Sequence, residues 1–223
     1  MTHPSTQIGS TKTRSPRTAW LVGGSLLIAT ALLESALSML FGAGGWTLGV
    51  GIAADLLFAA AMVVFAFGLV GGGSVVGRRP LGVTALLVLG LWPLVMRVMW
   101  VLIPPIASVS EPLIILSNVS LFVQLAAAII AVVQIARAGV VPGVARWLPL
   151  IALALVVVPE VIVYGFSYAA AAIGGSQLLT VAFSFAALAR FVSVAGLGVS
   201  AIILALRPVA HEERTVQVYP PAS

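Results

Sequence analysis

Residues 19–70, AWLVGGSLLIATALLESALSMLFGAGGWTLGVGIAADLLFAAAMVVFAFGLV, hold two long apolar runs joined by Gly42-Ala43-Gly44-Gly45, with one acid in each run, Glu34 and Asp55. A helix rises about 1.5 Å per residue, so the runs Ala19–Phe41 and Trp46–Val70 are each long enough to cross about 30 Å of hydrocarbon. Barrel strands alternate over about ten residues, whereas these runs are apolar on every face, so the reading is helix.

The same pattern recurs outward from this hairpin. Further spans are expected at Leu81–Ile103, stopped by Pro104-Pro105, and at Pro112–Ala136, Trp147–Ala170 and Gln177–Leu206, with Gly174-Gly175 separating the last two. The fold class is therefore all-α: a polytopic transmembrane bundle of six spans over residues 19–206. Composition agrees, since 61% of the 223 residues are hydrophobic and 8% charged, against about 25% charged in soluble domains. The tails, residues 1–18 and 207–223, are rich in Ser, Thr, Pro and charge and read as short disordered extensions.

Orientation follows from the basic residues. Lys12, Arg14 and Arg17 precede the first span, Arg78 and Arg79 follow the second, Arg137 and Arg146 follow the fourth, and Arg207 and Arg214 follow the sixth. The other three connections carry no Lys or Arg, so both termini are expected in the cytoplasm. This distribution accounts for the net charge of +5 without nucleic acid as a partner. The partner is the lipid bilayer, and the expected location is the cytoplasmic membrane. Ten arginines against one lysine, with abundant Ala, Gly and Val, suggest a bacterial source of GC-rich coding bias. The basic start followed by Ala19–Leu33 also resembles a secretory signal peptide, but the apolar run continues past Glu34 to Phe41, and retention as a span is the preferred reading. Asn118-Val119-Ser120 matches a glycosylation sequon but falls inside the fourth span.

Chemistry is narrowed mainly by what is missing. With no cysteine there is no disulfide, thiolate metal site or cysteine nucleophile, and the two histidines, His3 and His211, lie in the tails. No glycine-rich phosphate loop, His-Glu-x-x-His or Gly-x-Ser-x-Gly pattern occurs, so no enzyme, cofactor or metal is expected.

The residues that stand out are Glu34, Asp55, Arg97, Glu160 and Arg190, ionisable side chains in five different spans. Each costs about 2.5–3.5 kcal/mol at a helix centre on insertion scales, so each should face the bundle interior, pair, or reach water. Counted from the external span ends, they lie roughly 11, 13, 9, 15 and 20 Å deep, within one layer. Arg97 and Arg190 are each expected to pair with a carboxylate, leaving one acid over. Pro93 and Pro159 add freed carbonyls at Leu89 and Leu155 in the same region. Among neutral polar residues, Gln124 points at the expected core, while Asn118, six residues earlier, lies about 120° away. Gln134, Ser120, Tyr164, Ser167 and Tyr168 are further polar residues in the spans.

Trp20, Trp46, Trp100 and Trp147 fall near span ends and read as interfacial anchors, with Trp92 deeper beside Pro93, where it could wall a pocket but reads first as lipid-facing. Gly45/Gly49, Gly68/Gly72 and Gly196/Ser200 have the small-xxx-small spacing that lets helices approach, within the chain or in a homodimer. A three-plus-three inverted repeat is only weakly supported. The leading expectation is a permease-like protein with an outward-accessible site for a small polar solute at the five charged residues. Its rival is a noncatalytic membrane subunit or assembly protein whose charges are internal staples.

Overall fold

The computed structural model describes residues 17–40, 47–69, 74–77, 79–102, 110–139, 146–173 and 176–207. Across these the chain forms six helices: α1 (Arg17–Leu40), α2 (Thr47–Phe67), α3 (Pro80–Leu102), α4 (Ser110–Ala138), α5 (Leu148–Ile173) and α6 (Ser176–Leu206). Five are long and apolar enough to cross a membrane, and α5 contributes the shorter apolar segment Leu148–Val163. The tails, except Arg17, Thr18 and Arg207, lie outside the described residues, as do Gly42–Gly45, Trp46, Arg78 and Gly174-Gly175.

Helix ends follow local stereochemistry. α2 stops at Phe67, three residues before the expected end, because Gly68 takes φ +73°, a left-handed cap that glycine adopts without strain. Gly139, at φ +65°, ends α4 in the same way.

Neighbouring helices run antiparallel. The start of α1 meets the end of α6 at Gly24 and Gly198, and the end of α2 at Gly23 and Phe65. The start of α3 meets the end of α4 at Gly82 and Gln134. The helices stand in the order α4, α3, α2, α1, α6, α5, and every neighbouring pair in this arc packs extensively. The ring would close between α4 and α5, but these two barely touch.

Small residues make the interior and large ones the exterior. Ala31, Ala54, Ala61, Ala66, Ala131 and Ala201 are buried, while Leu102, Phe122, Val161 and Val181 stand more than half exposed on the outside. Such an inversion suits helices that pack by close backbone approach against a bilayer with no apolar contrast of its own. Between α2 and α3, the described residues 74–77 pack back against the end of α2. Val75 N–H donates to Phe65 O at 3.0 Å and Ser74 Oγ to Ala66 O at 2.7 Å, which seats Val76 fully buried at the Arg17 end.

Candidate functional site

α2 and α3 bring the first pair of charges together. Asp55 is 5% exposed, and its Oδ2 accepts a hydrogen bond from Arg97 Nε in a salt bridge. The Arg97 guanidinium lies across Gly51, one turn before Asp55, where any side chain would occupy its place. Glycine is thus the residue that lets α3 lay its arginine against α2. Glu34 of α1 is within electrostatic reach of the same guanidinium.

A second polar contact joins α3 to α4. Trp92 Nε1 donates to Ser120 Oγ at 2.8 Å, and Gln124 Nε2 donates to the same oxygen at 3.2 Å. Trp92 therefore has a specific interhelical role in place of the lipid-facing one expected. Replacing it by phenylalanine should remove one bond to a buried hydroxyl and lower stability by about 0.5–1.5 kcal/mol. Denaturant unfolding in detergent micelles measures this directly.

Inside the ring lies a cavity of about 270 Å³, lined by all six helices. Its polar level carries Glu34, Asp55, Gln124 and Arg190, with Thr30 and Ser193 one turn further in. Both hydroxyls are satisfied by their own helices: Thr30 Oγ1 donates to Leu26 O at 2.9 Å and Ser193 Oγ to Ala189 O at 2.7 Å. From this level the cavity runs toward the Arg17 end, reaching Trp20, Phe65, Val75 and Leu204. An outward-accessible site was expected at this level, and the lining found continues from it toward the Arg17 end of α1. Ala128, Ala131, Ala152 and Ala201 line this part, and their short side chains leave its centre unfilled.

The expected five-residue layer is thus divided. Glu34, Asp55 and Arg190 line the cavity, Arg97 stands behind Asp55, and Glu160 is half-buried on α5 away from the lining. Of the two expected ion pairs, Asp55–Arg97 is the one found among the described residues, and Arg190 has no carboxylate partner there. Gln124 does reach the lining, and so does Pro93. Of the tryptophans, Trp20, in the first turn of α1, also lines the deep end of the cavity, while Trp100 and Trp147 are about half exposed at helix ends. Arg146 lies over the Trp147 ring, 5.5 Å from its centroid. Tyr164, Ser167 and Tyr168 have side chains outside those described.

This chain matches no family model, and no curated protein or solved structure is similar to it. Its site must therefore be read from geometry. Among the described residues no three His, Asp or Glu side chains gather as a metal site. Thr30 and Ser193 were missed in the sequence reading, although a signal for them existed. Thr30 and Glu34 are four apart and Arg190 and Ser193 three apart, so each hydroxyl shares a helical face with a charge.

Proposed function

We propose that this chain is a permease-like integral membrane protein that takes a small solute into the cavity and recognises its polar group at the level of Glu34, Asp55, Gln124 and Arg190. The observation that carries this reading is the cavity itself: every helix contributes to its wall, and ionisable side chains from three of them converge on one level. Staples for helix register require contact with one another and no open space beside them. In this reading the protein has six spans and both termini on the cytoplasmic side of a bacterial cytoplasmic membrane. It performs no covalent chemistry, and opposite charges orient the solute.

The closed Asp55–Arg97 pair favours a second reading, a noncatalytic membrane subunit with structural charges. Cysteine accessibility separates the two, because the chain has no thiol of its own. A Gln124→Cys variant in proteoliposomes should react with a membrane-impermeant thiosulfonate at least about tenfold faster than Ala66→Cys, at a fully buried position. Equal, negligible rates for both would establish a sealed interior and leave the subunit reading.

A further inference from the structure

Beyond the charged level the cavity becomes an aliphatic slot. Leu27, Met62, Leu86, Val132, Val156 and Leu197 form its walls. On α6 the lining extends from Arg190 to Leu204, and on α1 from Glu34 to Trp20, about 21 Å in each case at helical rise. The cavity is therefore long relative to its volume of about 270 Å³, a shape suited to an extended chain. A wholly polar solute would leave most of this surface wet and unmatched.

The slot has a loosely packed side. α4 and α5 barely touch, yet both line the cavity, through Ala128 and Val132 on one side and Ala152 and Val156 on the other. Trp20 and Val75 line its deep end. The α4–α5 seam is thus the route by which an apolar chain would enter from the bilayer.

The charges indicate the head group. Arg97 is engaged by Asp55 and felt by Glu34, so of the two arginines inside the expected spans, Arg190, which lines the cavity, is the one without a carboxylate partner among the described residues. A guanidinium offers a planar fork of donors suited to a carboxylate or comparable oxyanion. The Gln124 amide lines the same level and supplies further donor capacity.

We infer that the cavity accepts a single-chain amphiphile with an anionic head, which slides between α4 and α5, sets its head at Arg190 and Gln124, and extends its tail toward Trp20. This rests on the solute-binding reading above and deepens it by naming the class of solute. A free fatty acid and a single-chain lipid with an acidic head share this chemistry.

The test uses a photoactivatable sixteen-carbon fatty acid with its diazirine near the tail end, and the purified full chain in nanodiscs of neutral phosphatidylcholine. Irradiation should label the peptides around Trp20 and Leu204 saturably. Excess palmitate should compete, butyrate and hexadecyltrimethylammonium should not, and competition by a lysophosphatidic acid of the same chain length would assign the lipid source in place of the free acid. Arg190→Gln should reduce saturable labelling by about tenfold, the worth of one charge-assisted contact. Ala152→Trp, which fills the seam, should abolish it, and because Arg190→Gln alters no packed contact it keeps the test decisive if the tryptophan variant misfolds. Unsaturable labelling spread over the outer helix faces, or equal competition by the cationic amphiphile, overturns the inference. If Gln124→Cys is reactive and no saturable tail labelling occurs, the amphiphile is wrong and the solute site stands. If the thiol is unreactive as well, both fall.

Discussion

Asp55→Ala should lower the stability of the folded bundle by about 3 kcal/mol, the low end of the range for breaking a buried ion pair. The loss arises on the partner. With its carboxylate gone, the Arg97 guanidinium is left against Gly51 without a counter-charge, and leaving an unmatched cation inside a helical bundle is costlier than never having placed one there. The estimate stays at the low end because the Arg97 side chain is 35% exposed and a long side chain can turn its head toward the helix ends. Removing both charges, as Asp55→Leu with Arg97→Met, should restore most of the loss. Unfolding curves of the two variants in mixed micelles measure this, and a double variant as unstable as the single one would show that something other than the unmatched charge was lost. Gly51→Ala should move in the same direction by displacing the guanidinium while leaving both charges in place.

The pair also shows how far the sequence carries. Glu34, Asp55, Arg97, Glu160 and Arg190 stand out because nothing else charged interrupts the apolar runs, and their depth follows from counting residues. Helix boundaries were legible for the same reason, since hydropathy, Gly and Pro act locally along the chain; the expected and observed ends agree within three residues, with Gly68 the reason for the gap at α2 and α5 running three residues past its expected end. Rotation and neighbour order were not legible. They depend on which faces of distant helices meet, and a run that is apolar all round gives no periodic signal to fix its rotation. Hence Glu160 looked equivalent to Asp55 but lies off the cavity, and nothing in the run showed that Trp20 would also line it. The cavity's open centre depends on alanines of α4, α5 and α6 whose short side chains leave space only when these three helices face one another.

Glycine packing shows the same gap between local and long-range information, and it gives the second large effect: Gly24→Ala and Gly198→Ala should each destabilise the bundle by about 1–3 kcal/mol. A Cβ on Gly24 would stand 2.6 Å from the Gly198 carbonyl oxygen, and one on Gly198 would stand 2.7 Å from that of Gly24. Each new methyl meets backbone, which cannot rotate aside as a side chain can, so α1 and α6 must separate along their contact. That outweighs the gain of up to about 1 kcal/mol that alanine brings to a helix interior. The glycines singled out by spacing should behave in the opposite way. Gly49 and Gly196 have nothing within 4 Å of a would-be Cβ, Gly68 serves as a helix cap, and Gly45 and Gly72 lie outside the described residues. Gly49→Ala and Gly196→Ala should therefore be neutral or slightly stabilising. Thermal unfolding of the four variants in one detergent tests the contrast, and destabilisation by Gly196→Ala comparable to that by Gly198→Ala would mean that the exposed face of α6 is covered by another helix, as a homodimer through the Gly196/Ser200 spacing would require.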